Sequence, residues 1–336
     1  MKFNRMGESA LMVSELCLGA MMFGEQTDEA EAKRIVDAAR DVGVNFIDTA
    51  NVYAYGESEA QLGRILAGQR EDWIIATKVG ASMNQGAIDK TNSRKRILME
   101  AERSLTRLQT EYLDIHYLHV DDLATPLDEP VRAMGDLIAA GKVRYWGVSN
   151  TYAWRIAEMV LCADALGVPR PIVLQAGYNA VNRVMEQEHL PACQHFGVGF
   201  VAYSPLARGI LSGKYVPGEA PPEGSRAGRN DPRIMNTEYR DESLDIAQQI
   251  KVHAEARGMT AAQFAVKWVL NNAGVASVIG GPRTLDQWQG YIDALAHDFT
   301  SEDEALIDGL VPPGFNSTPF YGDPKLPPTG REVAGE

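Results

Sequence analysis

The chain of 336 residues has few cysteines and no long apolar run. Its three cysteines, Cys17, Cys162 and Cys193, form no Cys-x-x-Cys spacing, which argues against a disulfide framework and fits a reducing compartment. No segment approaches the roughly 18 apolar residues that a membrane-spanning helix needs. The first residues are polar and lack the apolar stretch of a signal peptide. These absences predict a cytoplasmic protein without a membrane segment.

Basic residues are also scarce. The chain has 32 Lys and Arg against 45 Asp and Glu, so its formal net charge is −13. This balance argues against a nucleic-acid partner, because phosphate backbones are bound by clustered Lys and Arg. It argues more weakly against an anionic membrane surface. A small phosphorylated ligand needs only a local basic pocket, so the net charge does not exclude one.

Short apolar runs alternate with longer amphipathic segments along the chain. The predicted strands are 15–20, 45–48, 73–78, 113–119, 143–149, 172–175, 199–204 and 276–279. The predicted helices are 28–42, 58–66, 93–108, 127–140, 153–166, 186–195, 242–256, 261–270 and 284–296. For the first helix, Thr27 is the predicted N-cap and Gly43 the stop. This order makes eight units of a strand followed by a helix.

Alternating strands and helices predict parallel strands, because a helix is needed to carry the chain back to the same edge. Eight units is the number in a (β/α)8 barrel. The rival is a doubly wound sheet, which usually has fewer strands, and the dinucleotide-binding Gly-x-Gly-x-x-Gly pattern does not follow the first strand. No linker divides the chain, so residues 1–336 are predicted to form one barrel domain.

Three segments lie outside the eight units. Phe3 to Ser14 has a turn signal at 7–9 and is predicted to form a hairpin that closes the barrel floor. A loop rich in Gly, Pro and Arg covers roughly 205–235, after the seventh strand. The segment 312–336 is rich in Pro and Gly and is predicted to be an extended tail, wrapped over the barrel or partly disordered.

Seven consecutive predicted strands end in polar or aromatic residues. In a (β/α)8 barrel these carboxyl ends meet at one face, where the chemistry of such enzymes lies. In chain order the groups are Asp48 with Tyr53 in the next loop, Lys78, His119, Ser149 with Asn150, Gln175, Tyr203 with Ser204, and Gly281 with Arg283. Apolar or turn residues would be expected at several of these ends in a barrel without a site.

Asp48, Tyr53, Lys78 and His119 form a chemically coherent set. A tyrosine with a pKa near 10 is a poor acid at neutral pH, and a neighbouring ammonium lowers that pKa. Asp48 can keep Lys78 charged, and His119 can orient the reacting oxygen. The set is suited to protonating an alkoxide as a hydride reaches a carbonyl carbon, a form of general acid catalysis.

The residues leave alternatives open. Tyr55 is a rival acid two positions from Tyr53. His116 is a rival of His119, although strand alternation puts it on the opposite side, facing the helices. The two histidines with Asp121 and Asp122 could suggest a metal site, but side chains on an extended strand diverge, so no metal is predicted.

Two glycine-containing segments have features of phosphate-binding loops. Residues 209–214 resemble a P-loop but have too few residues between the glycines and Tyr215 in place of Ser or Thr. The segment 280–283 joins the last strand to a helix, whose N-terminus offers free N–H groups to a phosphate. Arg283 adds a planar guanidinium suited to a phosphate dianion. The alternative is a solvated arginine at an ordinary turn.

Several motifs, in order along nearly the whole chain, resemble the aldo-keto reductase superfamily. They are Asp48–Tyr53, Gly56–Glu59, Ile75–Lys78, Leu113–His119, Gly147–Asn150, Gln175, Ala202–Leu206, Gly209–Tyr215 and Val278–Gln287. The resemblance implies a barrel that binds NADP(H) without a Rossmann domain. It also implies that Tyr53 is the general acid, tuned by Lys78 and Asp48, with His119 orienting the carbonyl. The spacing of five from Asp48 favours Tyr53 over Tyr55.

The resemblance also implies a cofactor site. Ser149, Asn150 and Gln175 would hold the nicotinamide carboxamide, and Tyr203 would stack on the ring. The pyrophosphate would be lined by Ser204, Leu206, Gly209 and Lys214, closed over by Arg226. The adenosine 2′-phosphate end would be held by Gly281, Arg283 and Gln287. The chain has Gly290 and Tyr291 where many relatives have Glu and Asn, so NAD(H) stays open as a second cofactor.

The segment 207–235 resembles a branch that holds aryl-alcohol dehydrogenase-like and sugar-aldehyde reductases and the β-subunits of voltage-gated potassium channels. It therefore implies two functions: an NADPH-dependent reductase of aldehydes or ketones, or a cofactor-binding regulatory module with little turnover. A metal-dependent barrel lyase would need converging carboxylates, which the sequence does not have.

The partner predicted for the reductase is a small carbonyl compound, and the sequence also allows a homo-oligomer. A predicted apolar mouth of the pocket is bordered by the C-terminal tail and by Met21, Met22, Phe23, Tyr55 and Val120. The alternative for each of these residues is ordinary packing. The class of carbonyl substrate, whether aromatic aldehyde, sugar aldehyde or ketone, is not readable from the sequence.

Overall fold

Eight parallel strands form a closed barrel in the computed structural model, which describes residues 1–83, 91–322 and 327. The strands follow one another around the barrel in chain order, and the last closes it by pairing with both the first and the seventh. The barrel strands are β3 (Leu16–Gly19), β4 (Phe46–Asp48), β5 (Ile74–Val79), β6 (Leu113–Leu118), β7 (Val143–Ser149), β8 (Val173–Gly177), β9 (Gly199–Tyr203) and β10 (Ser277–Gly280). The predicted (β/α)8 barrel is confirmed.

Helices surround the barrel and return the chain from the end of one strand to the start of the next. They are α1 (Glu29–Asp41), α2 (Glu57–Ile65), α3 (Arg94–Leu108), α4 (Asp128–Ala139), α5 (Ala153–Leu166), α6 (His189–Phe196), α7 (Pro232–Met235), α8 (Asp241–Ala256), α9 (Ala261–Asn271), α10 (Leu285–Ala294) and α11 (Ser301–Leu310). None of the helices in the described ranges is both long and apolar enough to cross a membrane.

A hairpin of β1 (Phe3–Arg5) and β2 (Met12–Ser14) covers the end of the barrel where the strands begin, as predicted. The Glu8 amide donates a 2.8 Å hydrogen bond to the carbonyl of Gly197, which lies just before β9. The side chain of Met6 is fully buried among the residues that fill the barrel. The hairpin therefore closes the floor, and the end where (β/α)8 barrels carry their sites is the opposite one.

Two apolar cores lie on the two sides of the barrel wall. A small one fills the interior and contains Met6, Phe46, Ile115, Tyr117 and Val201, among others. The larger core packs the outward-facing strand residues against the helices. Strand alternation explains this division, because successive side chains point to opposite faces. The same alternation decides which polar residues point into the barrel.

Several predicted boundaries are corrected. Asp28, rather than Thr27, caps α1, because its carboxylate accepts a 2.9 Å hydrogen bond from the Glu31 amide. The predicted helix 186–195 is a 3-10 turn, Val184–Glu186, followed by α6. Pro191 lacks the N–H that a helix starting at 186 would need there, which explains the later start. Helix α11, which begins at a capping box of Thr300 and Asp303, was not predicted.

The described part of the predicted tail runs along the chain that follows β8. The Ser317 amide donates to the Val181 carbonyl at 3.0 Å, and the Arg183 amide donates to the Phe315 carbonyl at 3.0 Å. The guanidinium of Arg240 lies 3.8 Å from the centre of the Tyr321 ring. The tail therefore begins at the carboxyl end of the barrel, and most of its length lies outside the described residues.

Candidate active site

Lys78 lies at the centre of the polar groups inside the barrel. Its side chain is fully buried, and its Nζ donates to Asp48 Oδ1 at 2.5 Å and to the Thr49 carbonyl at 2.7 Å. Gln175 Nε2 donates to the other carboxylate oxygen of Asp48 at 2.7 Å. These contacts bring the ends of β4, β5 and β8 together. They fix both the position and the charge of Lys78.

Tyr53 lies on the turn that follows β4. Its hydroxyl oxygen accepts a 3.2 Å hydrogen bond from Lys78 Nζ. The turn spans Tyr53–Gly56, and Ala54 and Tyr55 have φ angles of 47° and 54°, which L residues rarely adopt. Such strain is characteristic of functional sites. Tyr55, the rival acid, is 77% exposed, so the turn directs only Tyr53 toward Lys78.

The two candidate histidines lie on opposite sides of the barrel wall. The ring of His119 meets that of Tyr53 edge to face, with centroids 5.9 Å apart. His116 is fully buried on β6 beside Thr77 and in the field of Glu100 on helix α3, outside the barrel. Burial lowers the pKa of His116 to about 4, so this ring is neutral at physiological pH. His119 is the histidine near Tyr53.

The electrostatics of the buried cluster differ in one respect from the sequence prediction. Burial favours the neutral form of Lys78, but Asp48 and Tyr53 outweigh it and hold the pKa of the amine above its usual value. Burial also raises the pKa of Tyr53, and Lys78 offsets only part of this. Lys78 lowers the pKa of Tyr53 as predicted, but burial outweighs it, so the net pKa lies above the usual value. The phenol is protonated and able to donate its proton.

Asn150 connects three strand ends next to the Tyr53 pocket. Its Nδ2 donates to the His119 carbonyl at 2.9 Å and to Ser149 Oγ at 3.0 Å, and its Oδ1 accepts from the Tyr203 hydroxyl at 2.7 Å. Its backbone is left-handed, with φ of 50°. Gln175, which is predicted to contact a carboxamide, donates its Nε2 hydrogen to Asp48.

The chain that follows β9 forms a tight loop with a basic side. Ser204 has φ of 55°, and a 3-10 helix, Ala207–Ser212, follows Leu206. Gly209 has φ of 106°, and a Cβ at this position would lie 3.3 Å from the ammonium of Lys214. The half-buried Arg226 lies in the field of Arg233. Burial and Arg233 lower the pKa of Arg226.

The last strand leads to a second basic position. Gly281 has no heavy atom within 4 Å of where a Cβ would stand. The Arg283 amide donates to Gln287 Oε1 at 2.8 Å, and its carbonyl accepts from Thr27 Oγ1 at 2.9 Å. These bonds fix the backbone of Arg283 while its side chain stays partly exposed. Tyr291, the departure noted in the sequence, packs on this strand end against Gly280.

The proposed border of the substrate pocket is only partly supported. Met22 and Phe23 are 1% and 0% exposed, so they present no surface to a ligand in this structure. They are corrected to core residues, and Phe23 packs within the larger core. Tyr55 and Val120 are 77% and 40% exposed, and Met21 is partly exposed.

Two interior residues near the Lys78–Asp48 ion pair were not predicted as site residues. Cys17 and Tyr117 are fully buried inside the barrel and lie in the field of Asp48. Burial, followed by Asp48, raises the pKa of both. Tyr117 shares strand parity with His119, a signal that could have found it; nothing in the sequence distinguishes Cys17. Among the described residues, no group of three or more metal-binding side chains occurs.

The geometry fits a bound dinucleotide. Gly281 leaves space for close approach to the backbone, and Lys214, Arg226 and Arg283 lie on the loops that follow β9 and β10. Within the described ranges, none of these three cations forms an ion pair with a carboxylate. Cations without carboxylate partners suit phosphate groups, which supply the missing negative charge.

Comparison with known proteins identifies the family of the chain. Two relatives, from Oryza sativa subsp. japonica and Arabidopsis thaliana, are named probable voltage-gated potassium channel subunits beta. Each is 40% identical to the chain, over 85% of it and 89% of the rice protein, and over 88% of it and 91% of the Arabidopsis protein. An uncharacterised oxidoreductase of Bacillus subtilis is 34% identical over 95% of the chain and 98% of its own length. The profile of the aldo/keto reductase family matches residues 15–312. The chain therefore belongs to the aldo/keto reductase family, which implies an oxidoreductase activity and a nicotinamide cofactor.

Proposed function

We propose that the protein is an NADPH-dependent reductase of aldehydes or ketones in which Tyr53 is the general acid. The observation that carries this proposal is the contact between Tyr53 and Lys78, at 3.2 Å, with Lys78 buried and paired to Asp48 at 2.5 Å. A protonated phenol beside a fixed ammonium can give up its proton only when a strong base, such as an alkoxide, forms next to it. A bound nicotinamide would supply the hydride that reduces the carbonyl carbon.

Each residue of the set has a distinct task. Tyr53 donates the proton to the carbonyl oxygen, and Lys78 stabilises the phenolate that remains. Asp48 keeps Lys78 charged, and Gln175 holds the second oxygen of that carboxylate. His119, whose ring lies against Tyr53, orients the carbonyl oxygen. In the reverse direction, the oxidation of an alcohol, the same groups act in the opposite order.

The cofactor would lie across the strand ends from β7 to β10. Ser149, Asn150 and Gln175 would hold its carboxamide, and the ring of Tyr203 would stack on the nicotinamide. The pyrophosphate would be bound by Ser204, Leu206, Gly209, Lys214 and Arg226. The adenosine phosphate would be bound by Gly281, Arg283 and Gln287. The cations around this path support the proposal.

The test of the reaction is Tyr53→Phe, which removes the acidic hydroxyl and keeps the ring. Turnover should fall at least about 100-fold, because general acid catalysis contributes that much or more. The Kd for NADPH, measured by fluorescence, should stay close to that of the wild type. Tyr112→Phe, directly before β6 at the floor of the barrel, is the matched control and should keep full turnover. A Tyr53→Phe enzyme with unchanged turnover would exclude Tyr53 as the acid.

The test of the cofactor is Arg283→Ala, measured with NADPH and NADH in parallel. The Kd for NADPH should rise about tenfold or more, because a guanidinium–phosphate contact of this kind is a charge-assisted hydrogen bond. The Kd for NADH, which lacks the 2′-phosphate, should change little. Equal losses for both cofactors would exclude this role of Arg283.

A regulatory module of the channel β-subunit type is a second candidate, and the names of the rice and Arabidopsis relatives favour it. A screen of NADPH oxidation over aromatic aldehydes, sugar aldehydes and ketones distinguishes the two functions. Turnover of one class supports the reductase and identifies its substrate. Tight NADPH binding without turnover of any class supports the module.

A further inference from the structure

A cluster of buried charges lies on the outer side of strand β5, behind the candidate active site. It consists of Glu59 on α2 with Glu100 and Arg107 on α3, and we call it the outer charge cluster. The side chains of both glutamates are fully buried. Arg107 Nε lies 2.7 Å from Glu59 Oε2, and its Nη2 lies 4.0 Å from Glu100 Oε2. One arginine therefore bridges two buried carboxylates.

Such a cluster has a cost that the fold alone does not justify. Burying two carboxylates is expensive, and apolar residues of similar volume often stabilise a protein as well or better. Burial raises the pKa of Glu100, but hydrogen bonds from Asn51 and Arg103 outweigh it and hold the pKa below its usual value. Glu100 is therefore charged. The contacts of the cluster indicate what these charges do.

The first contact leads to Lys78. Thr77 Oγ1 donates to Glu59 Oε1 at 2.5 Å. Thr77 and Lys78 are neighbours on β5, so alternation points Thr77 outward and Lys78 into the barrel. The bond to Glu59 fixes the strand at the residue that precedes Lys78.

The second contact leads to Tyr53. Asn51 Nδ2 donates to Glu100 Oε2 at 2.9 Å, and the Asn51 amide donates to the Lys78 carbonyl at 3.3 Å. Asn51 lies two residues before Tyr53, in the short connection between β4 and the turn. Glu100 thereby fixes the point where this connection leaves the strand.

The third contact is with the turn itself. A Cβ on Gly56 would lie 2.8 Å from Cδ and 3.0 Å from Nε of Arg107, so the arginine lies directly on this residue. Gly56 has φ of 97° and ends the turn that contains Tyr53 and the two left-handed residues after it. A strained turn persists only when its surroundings hold it, and Arg107 covers this one.

We propose that the outer charge cluster positions Tyr53 against Lys78 through Thr77, Asn51 and Gly56. This inference rests on the proposed function, since it assigns Glu59, Glu100 and Arg107 as positioning residues for that reaction. The three contacts lie next to the acid, its ammonium partner and the turn that carries the acid, on the outer side of the barrel wall. The cluster therefore acts on the distance between the Tyr53 hydroxyl and the Lys78 amine.

The experiment breaks two of the contacts separately, with Thr77→Val and Asn51→Ala. Single-turnover oxidation of NADPH by 4-nitrobenzaldehyde should slow about tenfold or more in each, because small displacements of reacting groups cost large factors in rate. The Kd for NADPH should stay within about twofold, because neither residue contacts the proposed cofactor path. Crystal structures of both variants should show the Tyr53 hydroxyl displaced from the Lys78 amine. Thr77→Ser, which keeps the hydroxyl, should restore both the rate and the distance.

Glu102→Ala is the matched control, because Glu102 is an exposed glutamate on the same helix that pairs with Lys142. It should leave rate and geometry unchanged. The double variant Thr77→Val with Asn51→Ala should slow the reaction by less than the product of the single effects, since both contacts pass through Arg107.

The outcomes separate this inference from the proposed function. Wild-type rates and distances in Thr77→Val and Asn51→Ala, with a slow Tyr53→Phe enzyme, would overturn the positioning role alone. Losses that follow NADPH affinity or the folded fraction, or that Thr77→Ser does not restore, would also overturn it. An active Tyr53→Phe enzyme would overturn the proposed function, and a wild type without turnover would contradict it. In either case the crystallographic distance still tests the positioning.

Discussion

The two ends of the barrel differ in how many residues other than glycine adopt the left-handed backbone region. At the floor, the chain enters β4, β7, β8 and β9 through Gly43, Gly141, Gly167 and Gly197, all with positive φ. At the opposite end, Ala54, Tyr55, Asn150, Ser204, Ala207 and Arg208 adopt positive φ without being glycine. Gln109, before β6, is the exception at the floor. Glycines with positive φ also occur at the active end, as at Gly56, Gly80 and Gly209, so the ends differ in the number of non-glycine residues in this conformation.

This difference suggests that the floor turns serve the stability of the fold and the turns at the active end serve its chemistry. Glycine adopts positive φ without the strain caused by a Cβ, so the floor turns are made at low cost. Each non-glycine residue with positive φ has a strained backbone, but it also carries a side chain that glycine lacks. At the active end that side chain has contacts, as Asn150 shows with His119, Ser149 and Tyr203. Substitutions at the floor should therefore affect stability, and substitutions at the active end should affect turnover.

The largest effect is expected for Gly7→Ala in the hairpin that closes the floor. A Cβ there would lie 2.7 Å from the Gly199 amide and closer still to the Gly197 carbonyl, both of them backbone atoms that cannot move aside easily. The free energy of unfolding should fall by about 3 kcal/mol, as overpacking does in well-packed regions. Urea denaturation measures this loss. Turnover per folded molecule should stay constant, and a selective loss of turnover would contradict the comparison.

An intermediate effect is expected for Asn150→Gly at the active end. The backbone strain disappears, but the three hydrogen bonds of the side chain are lost. Turnover should fall about tenfold, because the lost bonds orient the neighbouring strand ends, while the free energy of unfolding falls by about 1 kcal/mol. Asn150→Ala should reduce turnover equally and stability further, since alanine keeps the strain. If Asn150→Gly lost stability but not turnover, the two ends would not differ in the way described.

The smallest effect is expected for Gly167→Ala, at the C-cap of α5. Its φ is 66° and no heavy atom lies within 4 Å of the added Cβ, so only backbone strain is introduced. Stability should fall by about 1 kcal/mol, with normal turnover. Together with Gly7→Ala, this variant separates strain from collision at the floor. A loss as large as that of Gly7→Ala would show that strain alone accounts for both.

The barrel was predictable because its signal is repeated eight times. Each unit combines a short apolar run with a longer amphipathic segment, and an error in one unit does not change the count. The exact ends of individual helices were harder to predict from the sequence. Asp28 and Thr27 both have capping side chains, and only the bond to the Glu31 amide decides between them. The division into one barrel domain with a tail from 312 stays a prediction.

The candidate site was predictable where strand ends carry unusual residues, and Lys78 with Asp48 is the clearest case. The outer charge cluster was not predictable, because Glu59, Glu100 and Arg107 lie on amphipathic helices where charged residues are normally exposed. The prediction that Met22 and Phe23 border the pocket failed because apolar side chains fit a pocket and a core equally well. The roles of all predicted site residues remain proposals that the variants above test.

The closed floor has a consequence for the order of events in the proposed reaction. Because Met6 and the hairpin close one end of the barrel, both proposed ligands would enter from the opposite end. The dinucleotide would lie along the strand ends, and the carbonyl compound would lie between the dinucleotide and the solvent. Under the proposed function, the cofactor would then bind before the substrate and leave after the product.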